Sequence, residues 1–261
     1  MSFLTTLRNI FRKGGAKIGM VKSLVRITDD DRVAIDQNEY DRIQMAKSYY
    51  RDDLPNIWFR NSYGERRQRP MSTLNVTKLA SKRLASIIFN EQCEVSLENP
   101  ELDKFIKQVI EDNHFNLQFE QHLETGVALG GLAARPYVDD QNNIRIAWAN
   151  ADQFYPLHTN TDNISECVFA SRSTRIENKQ TAYYTLLEFH QWNGPDKYTI
   201  TNELYRSTQR QVVGEQVPLA TMYPKMQEFV EFNGIIKKPL LAHFKTPGAN
   251  YRDLYSPLGM G

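Results

Sequence analysis

The sequence predicts an α+β fold in which N-terminal helices are followed by an antiparallel β-meander. Up to about residue 130, apolar residues recur every three or four positions, as they do on one face of a helix. From Leu132 onward they alternate with polar residues, and turn-forming residues separate the alternating segments. Helices that precede a run of strands, rather than alternating with them, are typical of the α+β class.

The composition is that of a folded protein. The 261 residues are 41% hydrophobic and include thirteen Tyr and thirteen Phe, enough for a substantial core. No apolar run approaches the roughly 20 residues needed to span a bilayer, so we expect no membrane contact. Cys93 and Cys167 are too few for a disulfide framework and are interpreted as buried or incidental thiols of a cytosolic product. No signal-peptide pattern is present, so we expect no secretion.

Residues 1–27 predict a basic N-terminal arm. Residues 1–26 contain six cations and no acid, so the overall charge of +1 leaves −5 on the remainder. The cations are Arg8, Arg12, Lys13, Lys17, Lys22 and Arg26. Apolar residues among them at helical spacing suggest a short amphipathic helix. The arm either contacts nucleic acid, an anionic surface or an acidic partner, or is a flexible solvated tail.

Four helices are predicted in the N-terminal half, each from its own start or stop signal. We expect them at residues 28–50, 72–89, 99–113 and 116–129. Thr28 is the expected cap of the first helix, Ser72 or Thr73 that of the second, and Asn99 that of the third. The Gly130-Gly131 pair is the expected stop of the fourth.

The second and third of these helices have apolar faces, and we expect a short strand at 93–97 between them. The apolar face of the second helix comprises Val76, Leu79, Ala80, Leu84, Ile87 and Ile88. That of the third comprises Leu102, Phe105, Ile106, Val109 and Ile110.

The alternating segments predict a meander. Residues 134–138 and 144–148 form a hairpin around a polar turn, and further strands follow at 153–157, 167–176, 182–192 and 197–207. The segment 237–245 is an expected last strand, which a Pro247-Gly248 turn ends.

Residues 51–71 show neither the helical spacing nor the strand alternation of apolar residues. Aromatic residues and arginines are interleaved in this segment. The candidate contact residues here are Trp58, Phe59, Arg60, Tyr63, Arg66, Arg67 and Arg69. Aromatic rings can stack on nucleic-acid bases, and arginines can pair with phosphates. The same composition describes a loop that fixes a few aromatic rings in a core, and we favour that interpretation.

The sequence contains no recognisable catalytic motif, so we expect no catalytic, cofactor-binding or metal-binding residues. The Asp29–Asp31 triplet has no neighbours that complete a hard-cation shell. Gly126, Gly130 and Gly131 end a helix, whereas a dinucleotide loop follows a strand and opens a helix. Glu188 and His190 share a strand face, which allows acid–base chemistry, but a satisfied core histidine in a cross-strand hydrogen bond is favoured.

Four segments together resemble the N-terminal half of the portal proteins of tailed bacteriophages, in particular the siphophage family of Gram-positive hosts. The resemblance covers about residues 30–261 in order. It rests on Tyr49-Tyr50 with the loop that follows, residues 74–91, Gly130-Gly131 with the hairpin and residues 151–156, and the ending from Phe244-Lys245-Thr246-Pro247 to Ser256-Pro257-Leu258-Gly259.

The resemblance implies a structural role in the virion. It implies a ring-forming subunit, typically of a dodecamer, at one vertex of the phage head. Such a ring seeds head assembly in the host cytoplasm, passes double-stranded DNA during packaging and ejection, and contacts terminase, the head-tail connector and the capsid or scaffold protein. ATP hydrolysis belongs to terminase, so no enzyme and no cofactor are implied here.

The resemblance also implies a domain division. Residues 1–27 are the basic arm, residues 28–255 a portal wing-like domain, and residues 256–261 the start of a stem helix, so the chain is expected to be a trimmed fragment or a truncated product. A nucleic-acid-binding module that uses the loop 58–69 is the alternative. An enzyme with a site around Glu188 and His190 is the third hypothesis.

Overall fold

The computed structural model describes residues 21–89, 93–160, 163–234, 236–248, 250 and 256–261. The chain divides into two compact units. The first unit joins the residues up to Ile35 to Tyr155–Pro239, and the second joins Asp36–Phe154 to Leu240–Gly261. Helices followed by antiparallel strands confirm the predicted α+β class.

The described residues contain four α-helices and twelve strands. The helices are α1 Gln37–Tyr50, α2 Val76–Ile88, α3 Pro100–Asp112 and α4 Phe115–Leu129. The strands are β1 Ser23–Leu24, β2 Ile57–Arg60, β3 Arg66–Arg69, β4 Gly131–Val138, β5 Ile144–Asn150, β6 Phe154–Asn160, β7 Asn163–Glu177, β8 Gln180–Trp192, β9 Lys197–Ser207, β10 Gly214–Val217, β11 Phe229–Asn233 and β12 Ala242–Lys245. The predicted meander is confirmed, and β9 has the predicted bounds.

The first unit is built on a seven-stranded sheet with the order β1-β10-β9-β8-β7-β6, in which β11 also pairs with β9. The central strand β8 is buried on both faces. Leu186 and Leu187 are adjacent and therefore point to opposite faces, yet both are buried. This burial requires that both faces of the sheet are covered at β8.

Charged residues fasten the segment before Ile35 to this sheet. The Asp30 carboxylate accepts hydrogen bonds from Arg32 and Lys22, at 2.7 and 2.8 Å, and Arg32 also reaches Glu203. The Arg32 guanidinium lies 3.5 Å from the centre of the Phe189 ring. Burial acts to raise the pKa of Asp30, but the hydrogen bonds and charges of Arg32 and Lys22 outweigh it and hold that pKa well below its usual range.

The predicted start of the first helix was wrong. Residues Ile27–Asp29 form a single 3₁₀ turn, and α1 begins at Gln37, with the Asp36 side chain accepting from the backbone N–H of Asn38 at 2.8 Å. Thr28 does not cap a helix, because the Asp30 carboxylate that follows is held by Arg32 and Lys22 instead of facing a helix N-terminus.

The helices of the second unit confirm three of the four predictions in type and approximate bounds. The cap of α2 is Asn75, whose side chain accepts from the Lys78 N–H, and not the predicted Ser72 or Thr73. The predicted strand at 93–97 was wrong. This segment is irregular and has no partner strand among the described residues, and the Leu97 N–H donates to the Asp103 side chain.

A three-stranded sheet with the order β12-β4-β5 completes the second unit. The last strand is therefore confirmed, within shorter bounds. Beside it, Gly130 ends α4 at φ +90° and lies so close to the Gly259 carbonyl that a Cβ atom would come within 2.2 Å of it. Residues 256–261 contain no helical turn, and the assignment of a stem helix to them stays a prediction.

Candidate functional site: an exposed arginine-aromatic hairpin

Strands β2 and β3 form a two-stranded antiparallel hairpin from the segment in which the sequence predicted a loop. The register pairs Ile57 with Arg69 and Arg60 with Arg66. The turn is closed by Asn61, whose side-chain oxygen accepts from the backbone N–H groups of Tyr63 and Glu65 at 3.0 and 2.9 Å. Gly64 in the turn has φ +77°, a conformation that favours glycine.

The register distributes the arginines over both faces of the hairpin. Directly opposite residues of an antiparallel pair share a face, so Arg60 and Arg66 lie with Trp58, while Arg67 and Arg69 lie with Phe59. The Arg66 guanidinium lies 4.5 Å from the centre of the Trp58 ring. That of Arg69 lies 5.5 Å from the centre of the Phe59 ring. Each face therefore carries one cation–π pair and one further arginine.

The hairpin is exposed and positively charged. Trp58 is 57% and Tyr63 87% exposed, so the favoured interpretation, a loop that fixes these aromatic rings in a core, was wrong. Four arginines stand against one acid, Glu65, which pairs with Arg67 at 2.7 Å. The hydrogen bonds from Arg67 and Asn61 lower the pKa of Glu65. The hairpin thus combines flat rings and fixed cations, the groups that bind bases and phosphates.

The other predicted contact residues belong to the basic arm, and their position relative to the hairpin is not part of the described structure. Arg8, Arg12, Lys13 and Lys17 lie outside the described residues. Their assignment to a nucleic-acid or partner contact stays a prediction.

The Glu188–His190 pair is enclosed in the sheet of the first unit. His190 is 1% exposed, and its two ring nitrogens lie 2.7 Å from Glu188 and 2.8 Å from the Tyr198 hydroxyl. The Tyr198 contact is the predicted cross-strand hydrogen bond, since β9 carries Tyr198. This confirms the interpretation of His190 as a satisfied core histidine. Glu188 is buried as well, at 6% exposure.

The Asp29–Asp31 triplet is likewise occupied by protein contacts. Asp30 is bound by two cations, as described above, and the Asp29 carboxylate accepts from the Arg26 N–H. Within the described ranges, no group of three or more His, Cys, Asp or Glu side chains is placed to hold a metal ion. None of the described helices has the length and apolar character needed to cross a bilayer.

One feature of the second unit was missed by sequence reasoning. The sequence showed apolar faces on α2 and α3, and in the structure most of the large side chains of these two faces are exposed. The helix α2 instead buries its small residues Ser81 and Ala85. No residue of α3 is fully buried. The apolar stripe was visible in the sequence, but a stripe alone does not say whether the same chain covers it.

The fold is of the α+β class, and the candidate site is an exposed, positively charged hairpin. Residues 29–238 match the family model described as phage portal protein, SPP1 Gp6-like. The match covers about four fifths of the sequence, so the chain belongs to this phage portal family, which is a structural, non-enzymatic family of the phage head. A search of curated proteins finds no match.

Proposed function

We propose that this chain is a subunit of the portal ring at one vertex of a phage head. The family match over residues 29–238 is the observation that carries the proposal. In this role the ring seeds capsid assembly in the host cytoplasm, and DNA passes through it during packaging and ejection. Terminase, the head-tail connector and the capsid or scaffold protein are the proposed partners.

The domain division extends the proposal. Residues 28–255 act as the wing of the subunit, residues 256–261 lead into the stem, and the basic arm of residues 1–27 contacts capsid, scaffold or nucleic acid. The exposed apolar helices of the second unit support a role in assembly, because contiguous apolar patches on a soluble protein mark interaction surfaces. The charge of the arm supports an anionic or acidic partner.

Localisation in virions tests the proposal. An antibody against this chain, applied to intact and disrupted phage heads, should place gold label at a single vertex. Inactivation of the gene should give heads without DNA, and a plasmid copy should restore packaging. Label spread over the whole capsid, label at the tail tip, or normal packaging without the gene would each overturn the proposal.

The hairpin favours a second function, contact with nucleic acid, because it presents rings and arginines together on an exposed surface. Anisotropy titrations with labelled single-stranded and double-stranded DNA test it. We expect log Kd to depend on log salt with a slope near 0.9 per phosphate contact for duplex DNA. Replacement of Arg66 and Arg67 by alanine should abolish binding.

Arg210, an exposed arginine outside the hairpin, offers the matched control. Arg210→Ala should leave DNA affinity unchanged. Equal losses for Arg210→Ala and for the hairpin variant would show non-specific attraction and would remove this second function. If binding is lost only when residues 1–26 are deleted, the arm and not the hairpin is the nucleic-acid contact.

A further inference from the structure

The helix α2 carries a stripe of large apolar side chains that are exposed and that no described part of the chain covers. Leu79 is 62% and Ile87 60% exposed, and Val76, Leu84 and Ile88 are exposed as well. The side of α2 that packs on its own unit carries Ser81 and Ala85, two small residues. From Val76 to Ile88 the stripe is about 18 Å long, at 1.5 Å per residue. A stripe of this kind is unfavourable in water and favours coverage by a partner.

The charges of α2 have one sign. Its sequence contains Lys78, Lys82 and Arg83 and no acid. Lys82 and Arg83 are exposed and make no ion pair with any of the described residues. The helix therefore presents a surface that is both apolar and basic, and an acidic surface would complement its charge.

The helix α3 presents the complementary surface. Leu102 and Phe105 are 54% and 52% exposed. Leu97 extends the apolar surface, and its N–H is tied to the Asp103 carboxylate at 2.8 Å. Four acids and two lysines within α3 give the helix a charge of −2. Glu98, which precedes α3, and Glu101, within it, are exposed and pair with no cation in the described part of the chain.

We propose that the α2 surface of one copy of this chain docks on the α3 surface of a second copy. The two surfaces are both apolar, and their charges are opposite in sign. Each surface can therefore cover the exposed apolar side chains of the other and pair with its charges. Because the two surfaces differ, the contact is heterologous, and repetition of such a contact generates a ring when the rotation closes. The inference rests on the proposed ring function and names the surfaces that join the subunits.

Charge reversal with rescue tests the contact in the full 261-residue chain. One variant carries Lys82→Glu and Arg83→Glu, and the other carries Glu98→Lys and Glu101→Lys. Sedimentation velocity is measured up to about 0.5 mM, where weak association is detectable. Wild type should exceed the monomer mass of 30.3 kDa increasingly with concentration. Each variant alone should remain at the monomer mass, because like charges then face each other.

Association should be restored in two samples, a mixture of the two variants and a fourfold variant. An equimolar mixture of the two variants pairs the basic α2 of one with the acidic α3 of the other, and the reverse contact is also attractive. The fourfold variant exchanges both signs within one chain and should associate like wild type. A structural defect in either variant cannot produce this rescue. Arg172→Glu with Arg210→Glu, two exposed arginines of the first unit, is the matched control and should associate like wild type.

A separate variant tests the contribution of the apolar side chains of α2 to the contact. Leu84→Ser with Ile87→Ser should weaken association at least about tenfold, while the far-ultraviolet circular dichroism stays unchanged because both side chains are exposed. Unchanged association would overturn the inference.

The possible results distinguish failure of this contact from failure of the proposed ring function. A wild-type chain that stays monomeric throughout the concentration range overturns the inference, whatever the virion labelling shows. Association that survives in both charge variants, or a mixture without rescue, shows that another surface joins the copies, and the ring function then stands without this contact. Loss of DNA binding instead of self-association in the α2 variant would assign these cations to nucleic acid and overturn the inference. Failure of single-vertex labelling, by contrast, overturns the proposed function itself.

Discussion

The two units differ in how many of their large apolar side chains are exposed to solvent. Of the twenty-five exposed large apolar side chains in the described residues, twenty belong to the second unit. In the first unit the central strand β8 is buried on both faces, and aromatic rings such as Phe189, Tyr198 and Tyr205 are fully enclosed. The first unit therefore has an interior of its own, whereas much of the apolar surface of the second unit is available to a partner.

Replacement of a phenylalanine by alanine should destabilise the first unit far more than the second, and this is the largest expected effect. Phe189→Ala removes a ring that is 0% exposed and should cost about 3–5 kcal/mol of the free energy of unfolding. Phe105→Ala removes a ring that is 52% exposed and should cost less than about 1 kcal/mol. Urea denaturation with peptide-resolved hydrogen exchange measures both losses. Equal losses would show that α3 packs against a core after all.

The charged cluster of the first unit gives the next largest effect. Arg32→Ala leaves the buried Asp30 without one of its two cations and should destabilise the first unit by about 3 kcal/mol. Arg172→Ala, at an exposed position of β7, should change stability by less than about 0.5 kcal/mol. Denaturation of both variants at pH 7 measures the difference.

The same cluster predicts a pH dependence with a definite sign. The pKa of Asp30 is lowered in the folded protein, so its ion pairs stabilise the fold above the unfolded pKa of about 3.8 and this stabilisation is lost as pH falls. The difference between wild type and Arg32→Ala should therefore narrow below about pH 4. A difference that stays constant down to pH 2 would mean that Arg32 acts through its packing on Phe189 alone.

A close backbone contact in the second unit gives the third effect. Gly130→Ala would place a Cβ at φ +90° and within 2.2 Å of the Gly259 carbonyl, so it should cost about 2–3 kcal/mol. Gly64→Ala is the control. Gly64 also has a positive φ of +77°, but no atom lies within 4 Å of the added Cβ, so only the backbone strain of about 1 kcal/mol remains. Thermal unfolding compares the two, and equal costs would exclude the carbonyl contact as a cause.

The long elements of both units could be predicted from the sequence. The helix α3 was recognisable from Asn99 and Pro100, since a side-chain cap followed by a proline in the first turn is a strong local signal. Strand β9 was recognisable because it is long and ends at turn residues. In these places the local signal and the tertiary structure agree.

The candidate site was harder to predict. The residues of the hairpin were identified as a group, but β3 has the sequence Arg-Arg-Gln-Arg, which offers no alternation of apolar and polar residues. Its strand conformation follows from pairing with β2 and from the turn at Asn61 and Gly64, which are not properties of β3 itself. The two-residue strand β1 also depends on its partner, because it pairs with β10, which lies far along the chain.

A histidine in the second unit gives the smallest effect, and it appears only on acidification. His243 stacks on Phe154 with ring centroids 4.9 Å apart, and burial, with a smaller effect of Lys245, lowers its pKa to about 4. The unfolded chain binds this proton near pH 6.5, so the folded second unit should lose stability as pH falls from 6.5 towards 4. Between pH 8 and pH 5 the loss is at most about 2 kcal/mol.

His243→Phe should remove this part of the pH dependence, since phenylalanine keeps the stack on Phe154 and has no proton to bind. Hydrogen exchange of β12 and β4 at pH 8 and pH 5 reports on the second unit, and exchange of β8 and β9 is the internal reference from the first. We expect wild-type protection of β12 to fall at pH 5 and that of the variant to stay closer to its value at pH 8. An equal fall in both proteins would mean that other groups destabilise the second unit in acid, and that the stack does not keep His243 uncharged.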